Sequence, residues 1–189
     1  MNQGKSPTFH FREEDHSYWV DGVKYTSVTE ALSLVDDRPK DPYYLQRGLY
    51  VHKATEYFDR RELDESTVDD EIAGYVRAYT SFRSDSKFRP RLIEYRVFDE
   101  RYRVAGTLDR EGPLNGFEAI LDIKSGQESP VDKLQGAAYW TMRGRKGKVF
   151  DLYLREDSTY RLKEIERPRL LWPTFLAILT AWRWKEENK

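Results

Sequence analysis

The chain contains no cysteine, which excludes disulfides, thiolate zinc sites and iron–sulfur clusters. Any metal must therefore sit on oxygen or imidazole ligands, and only three histidines supply the latter. No apolar run approaches the length needed to cross a bilayer, so no membrane partner is expected. No repeat, low-complexity tract or linker rich in Pro, Gly and Ser divides the sequence. No secretory pattern opens it, and a cytoplasmic protein is the simplest expectation. Neither sign of charge dominates: 32 Lys and Arg stand against 33 Asp and Glu, for a net charge of −1. Bulk charge alone does not advertise a nucleic-acid partner.

What is present suits a globular domain. The 189 residues, 39% hydrophobic and 14% aromatic, are enough to build one full-sized core. A single domain over 1–189 is expected, with a hairpin and helical extension at about 1–40. Charge is unevenly spread. The stretch from Asp59 to Glu71 is acidic, whereas basic groups gather at Arg83, Lys87, Arg89 and Arg91, and again at Arg143, Arg145, Lys146 and Lys148. An uneven solvated surface explains this better than a rim that tracks phosphates.

Short strands are expected at Phe9 to Arg12, Tyr18 to Val20 and Val23 to Tyr25, the last two joined by the hairpin signal Asp21-Gly22. Ser27-Val28-Thr29-Glu30 fits a capping box that opens a short helix through about Leu34. A longer helix follows from about Pro42 to Arg60, either continuous or broken near Gly48, with a core face that includes Leu45, Leu49 and Tyr57. Another runs from about Val68 to Phe82, with Ile72, Tyr75, Val76 and Tyr79 at helical spacing. The period then changes to strands at Leu92 to Phe98, Tyr102 to Asp109 and Phe117 to Lys124. A helix over Pro130 to Met142, strands at Val149 to Leu154 and Tyr160 to Ile165, and a closing amphipathic helix over Leu170 to Lys185 complete the order. That order predicts an α/β or α+β domain with a small mixed sheet between helices.

The most informative residues are Asp122-Ile123-Lys124, thirteen positions after Asp109 in Gly106-Thr107-Leu108-Asp109. A carboxylate and a lysine two apart on a strand point to the same face. A second carboxylate, at the end of the preceding hairpin strand, can reach the same edge. Two acids there would hold a hard divalent cation beside a fixed positive charge. That set suits hydrolysis of a phosphodiester, where negative charge builds on the phosphoryl group. Each residue also has a plainer role. Asp109 can be a turn residue and Lys124 the exposed end of a strand, but Asp122 lies in the apolar run Ala119 to Ile123, where an uncompensated carboxylate is costly.

His52 and Glu56 share a helix face, as do Gln135 and Tyr139 on the helix after the lysine strand. A surface or capping histidine, a solvent-facing glutamine and a core tyrosine are the plainer readings. Tyr43, Tyr44 and Trp140 are either base-stacking surfaces or core residues.

Taken in order, these pieces resemble the PD-(D/E)XK nuclease superfamily in its RecB-like and phage-type exonuclease branch. His16-Ser17-Tyr18 with Tyr25-Thr26-Ser27-Val28-Thr29 is similar to that branch's N-terminal signature. Gly48 through Glu56 resembles its Gly-x-x-x-His-x-x-x-Glu helix, and Glu94 stands where the family places a glutamate on the first core strand. Gly106 to Asp109, Asp122 to Lys124 and Gln135 to Tyr139 resemble the Gly-x-x-Asp, Asp-x-Lys and Gln-x-x-x-Tyr motifs. The strings are short, and their order and spacing make the resemblance specific. Leu108 stands where proline often precedes the first aspartate, as is common in this branch.

The resemblance implies a restriction-endonuclease-like core and a DNA exonuclease acting in recombination, repair or replication, in a bacterial host or phage-infected cell. His52, Asp109, Asp122 and the backbone carbonyl of Ile123 would bind Mg2+ or Mn2+. Lys124, with Asp109, Asp122 and Glu94, would be catalytic, Lys124 orienting the attacking water or stabilising phosphorane-like charge. Glu94 and Glu56 would bind a second metal or support the first, and Gln135 and Tyr139 would position the DNA. The partner would be DNA with a free end, with or without a recombination or replication protein. Two alternatives stay open: a catalytically inactive DNA-binding or assembly protein on the same fold, and a structure-specific endonuclease.

Overall fold

The computed structural model describes residues 7–39 and 41–189; residues 1–6 and 40 of the expected N-terminal extension lie outside the described residues. Eight strands form one mixed sheet. They are β1 (Phe9–Arg12), β2 (Ser17–Val20), β3 (Val23–Ser27), β4 (Leu92–Asp99), β5 (Val104–Leu114), β6 (Phe117–Lys124), β7 (Lys148–Leu154) and β8 (Tyr160–Glu164). The helices are α1 (Val28–Leu32), α2 (Pro42–Arg60), α3 (Asp70–Ser86), α4 (Pro130–Met142) and α5 (Pro168–Glu187). The fold is mixed α/β, a central mixed sheet between helices.

Local chemistry sets the helix starts. Ser27 caps α1 by accepting from the Glu30 backbone N–H, and the Glu30 side chain accepts in return from the Ser27 N–H, completing the capping box. Ser129 caps α4 in the same reciprocal way with Asp132, followed by Pro130 in the first turn. Asp41 caps α2, again before a proline.

The sheet order is β1-β2-β3-β5-β6-β7-β8, with β4 also paired to β5. Val104 pairs with both Thr26 of β3 and Asp99 of β4, and Arg110 pairs with both Leu121 of β6 and Ile93 of β4. A strand has two edges, so β3 and β6 share the β5 edge opposite β4. The β3 pairs end at Ala105 and the β6 pairs begin at Arg110. Gly106-Thr107-Leu108-Asp109 therefore spans a gap in the ladder. Past Leu121, β6 leaves β5 and continues beside β7 as far as Lys124, in parallel. The β6–α4–β7 unit is thus a crossover connection, which places α4 over the end of β6.

One core lies between the sheet and α1, α4 and α5, built around Leu108, Ile120, Tyr139, Val149 and Phe175. A second lies between the sheet and α2 and α3, around Val51, Tyr79, Phe82, Leu121 and Leu152. The alternation that a regular strand imposes breaks at Asp109. Leu108 belongs to the first core, whereas Arg110 bonds α2 and Leu114 packs in the second. On the facing strand the ladder pairs Ile93 with Arg110 and Tyr95 with Leu108, leaving Glu94 opposite Asp109, and Glu94 has φ +49°. A left-handed glutamate inside a strand is uncommon and costs backbone energy.

Two expectations are corrected, and one open alternative is decided. The strand carrying Asp109 does not end there; it runs on to Leu114, and what stops beside Asp109 is its pairing with β6. Helix α2 is unbroken through Gly48. Its core face is not Leu45, Leu49 and Tyr57, which are 61%, 60% and 39% exposed, but Val51, Ala54 and Thr55. The smaller residues let α2 lie close to the sheet, where Thr55 meets Arg110.

Candidate functional site

Three side chains from three elements converge where the β5–β6 ladder opens. His52 of α2, Glu94 of β4 and Asp109 of β5 each offer one ligand atom, all within 4.8 Å of one another. His52 Nδ1 is 3.6 Å from Asp109 Oδ2. Asp109 Oδ2 also accepts from the Ile123 backbone N–H at 2.6 Å, so the carboxylate takes up an amide that the departing strand leaves beside it. Burial and the nearby Asp122 push the Asp109 carboxyl up to about 7, against the opposing Ile123 hydrogen bond. Burial and Asp109 push Glu94 up to about 7. Burial pushes the His52 imidazole down.

Two carboxylates and one imidazole, all partly or fully buried, fit Mg2+ or Mn2+, with the nitrogen favouring Mn2+ relative to an all-oxygen set. A divalent cation there would restore both carboxylates to the charged form. Nothing in the donor set suits a soft metal.

Asp122 and Lys124 point to the α4 side of β6. Their ion pair is direct, and Asp122 Oδ2 makes no hydrogen bond with any other described group. Lys124 Nζ donates to Gln135 Oε1 at 2.8 Å, and Gln135 Nε2 donates to the Tyr139 hydroxyl at 3.2 Å. The Asp122, Lys124, Gln135 and Tyr139 motifs therefore form one chain. Burial alone would lower the lysine's pKa, but Asp122 and Asp132 outweigh it and hold the ammonium charged. Two glycines make this approach possible. A Cβ on Gly106 would lie 2.7 Å from Tyr139 Cε1, and one on Gly136 would lie 2.4 Å from Ile165 Cδ1. Bare backbone at these points lets α4 settle on the sheet with Tyr139 across the ladder gap.

Glu56 shares the helix with His52, but its oxygens are engaged by Lys53 at 3.0 Å and Arg60 at 2.9 Å. It is not part of the His52, Glu94 and Asp109 group. Half of the basic residues in the two runs are similarly occupied: Arg83 pairs with Asp59, Arg91 with Glu118, Arg143 with Glu111 and Lys148 with Glu164. Trp140 is tied to the Gly147 carbonyl and packs on the first core, while Tyr43 and Tyr44 are about half exposed.

Several supporting residues escape sequence reading. Arg110 is fully buried and donates to Glu94 Oε1 and to the Asp109 carbonyl, each at 2.8 Å, to Thr55 Oγ1 at 3.2 Å and to Asp59. Asp59 is held in turn by Arg83 and by the Tyr79 hydroxyl at 2.6 Å. On the other side Asp132 accepts from Arg38 and from the Tyr153 hydroxyl, both at 2.9 Å. Asp151 pairs with Asp122 in the β6–β7 register. Neither of its oxygens has a hydrogen-bond partner among the described residues, and burial followed by Asp122 pushes it up to about 7. The side-chain partners of Arg110 lie 16 to 55 positions away in sequence, so no local pattern signals them. For Asp151 the one available signal was a carboxylate inside the apolar strand Val149 to Leu154.

No family model and no curated protein matches the chain. Among solved structures, it is similar to the crystal structure of SSO0001 at 14% identity and TM-score 0.41, covering 82% of each chain. It is also similar to a structure from Eubacterium rectale named "putative exonuclease" at 10% identity and TM-score 0.45, covering 84% of this chain and 82% of that one. Neither likeness is close enough to carry an argument about this chain.

Proposed function

We propose that the chain is one nuclease domain, a divalent-metal-dependent DNA exonuclease that hydrolyses phosphodiester bonds from DNA ends. The observation that carries this reading is the convergence of His52, Glu94 and Asp109 beside the buried Asp122–Lys124 pair. The motif order noted in the sequence supports the same reading, and so does the charge state of the lysine.

His52, Glu94 and Asp109 would hold Mg2+ or Mn2+, with Asp122 and the Ile123 carbonyl at the same strand end. When bound, such an ion supplies Lewis acidity and lowers the pKa of a coordinated water. Lys124 contributes a fixed cation, aimed by Asp122 and Gln135, which offsets charge developing on the phosphoryl oxygens and orients the attacking water. Gln135 and Tyr139 hold the lysine and present an amide and a phenol to the substrate phosphate. Arg110 anchors Glu94 and the Asp109 backbone from behind, so the ligands need not reorganise when the reaction begins.

The test is degradation of linear and closed circular DNA, single- and double-stranded, in Mg2+ or Mn2+. Loss of linear DNA only, abolished in Lys124→Ala while the fold persists by circular dichroism, is the expected result. Cutting of circles would make it an endonuclease on the same site. Cleavage retained by Lys124→Ala would remove the lysine from the mechanism, and no cleavage with retained DNA binding would favour an inactive binding protein.

A further inference from the structure

A cavity of about 740 Å3 opens beside the end of β6, lined by Tyr44, Arg47 and Tyr75 and by the turn Ser125-Gly126-Gln127 that follows Lys124. Arg47 is fixed inside it. Its guanidinium lies 5.0 Å from the ring centroids of both Tyr44 and Tyr75, and its Nη2 donates to the Ser125 carbonyl at 2.9 Å. Its Nε is buried and has no hydrogen-bond partner among the described residues. The Tyr44 ring is 52% exposed, and Tyr43 meets it edge-on at 5.2 Å. The lining also includes Arg38, which is paired with Asp36 and Asp132, and Arg155 beside Glu156, so Arg47 and Arg155 are the guanidinium groups of the lining with no ion pair to Asp36 or Asp132.

We propose that this cavity receives unpaired nucleotides of a DNA strand end, with a base stacked on Tyr44 and a phosphate drawn to the arginine side. This rests on the nuclease reading and narrows its substrate to single-stranded ends. Exposed rings beside a fixed arginine form a stacking platform, and such platforms take unpaired bases because every base has a π-face. A base inside a duplex has both faces covered. The volume falls within the range of roughly 300–1,000 Å3 seen for small-ligand sites. The position is also right. Tyr44, Gly48 and His52 follow one another at four-residue spacing along α2, so the platform and the metal ligand lie on one helix face. At 1.5 Å rise per residue, Tyr44 is about 12 Å from His52 along the axis. That is about three to four nucleotides at the stacked spacing of roughly 3.4 Å. Gly48 faces the same turn: a Cβ there would lie 3.6 Å from Ser125 Oγ. Leu45, Leu49 and Tyr50 extend the exposed apolar surface along the helix.

The test is fluorescence anisotropy of the full chain in EDTA, which separates binding from hydrolysis, with labelled oligo(dT) and with a blunt-ended duplex. Oligo(dT) is expected to bind more tightly than the duplex. Tyr44→Ala is expected to weaken oligo(dT) binding about tenfold, the size of one base–aromatic stack, and Tyr44→Phe to restore it. Circular dichroism and melting temperature confirm that each variant is folded. Equal wild-type affinity for the two ligands overturns the proposal, as does undiminished oligo(dT) binding by Tyr44→Ala. Parallel degradation assays in Mn2+ separate the two readings. A chain that degrades no DNA yet shows Tyr44-dependent oligo(dT) binding loses the nuclease reading and keeps the cavity assignment. A chain that degrades blunt duplex as fast as single strands, whether or not Tyr44 is replaced, keeps the nuclease reading and loses the cavity assignment.

Discussion

At the residue scale, the acids at the ladder gap give the protein a characteristic response to pH. Asp109 and Glu94 both titrate near 7 in the folded chain, above their ordinary values near 4. A group whose folded pKa is raised stabilises the fold fully below its unfolded pKa and loses that contribution as pH rises through the folded value. Without metal, the melting temperature should therefore fall between about pH 4 and 7. Added Mn2+ should raise it more at pH 8 than at pH 5, because binding at low pH must displace protons. Equal shifts at both pH values in calorimetry would count against these two carboxylates as ligands. Gly106 makes a second prediction at this scale. Gly106→Ala drives a methyl into Tyr139 and should cost about 1–3 kcal/mol in urea unfolding. The proposed DNA hydrolysis should fall with it, since Gln135 and Lys124 are held through Tyr139.

At the element scale, α2 brings together what the sequence shows and what it hides. Its start was legible because a proline stands at its first position, after Asp41, whereas no glycine or asparagine marks its stop, where Arg61 takes the left-handed conformation. Its buried face was not legible. Large apolar residues lie on its solvent side, and the side against the sheet is occupied by Val51, Ala54 and Thr55 and by the carboxylate of Asp59. The hydrophobic pattern fails because α2 docks partly through polar groups, with Arg110 as the strand-side partner. Helix α4, by contrast, was read to the residue, since Ser129, Pro130 and Asp132 signal its start locally. The same logic separates the candidate site. Asp122, Lys124, Gln135 and Tyr139 are close in sequence and were found together, whereas Arg110, Asp59 and Asp132 act through contacts that only the fold creates. Arg110→Met leaves Asp59 and Glu94 buried beside a neutral side chain and should cost about 3–5 kcal/mol, measured by chemical denaturation. A loss under about 1 kcal/mol would mean that the network adds little to stability.

At the scale of the whole molecule, charge pairing bears on how the chain would hold the proposed DNA substrate. The chain is nearly neutral, and in the two basic runs Arg83, Arg91, Arg143 and Lys148 are paired with carboxylates. Four of the eight side chains in those runs are thereby less able to displace counterions. The logarithm of DNA affinity should fall with the logarithm of salt concentration at a slope of only about −2 to −3 for a single strand. A slope near −6 would instead require a broad basic surface. The alternation of helices and strands was sufficient to predict the mixed sheet between helices. The ladder gap was not predictable, because it depends on two distant strands sharing one edge of β5.

That shared edge has a further consequence. The hairpin β1–β2 and strand β3 stand on the β5 edge beside the open positions 106–109. Without β3, the donors and acceptors at Val104 and Ala105 would join that opening as a continuous bare margin. Exposed margins of this kind template pairing with other chains. The N-terminal strands thus act as a guard against polymerisation, and a chain trimmed to begin after Ser27 should form aggregates with a β-rich infrared signature, even where His52, Glu94 and Asp109 are intact.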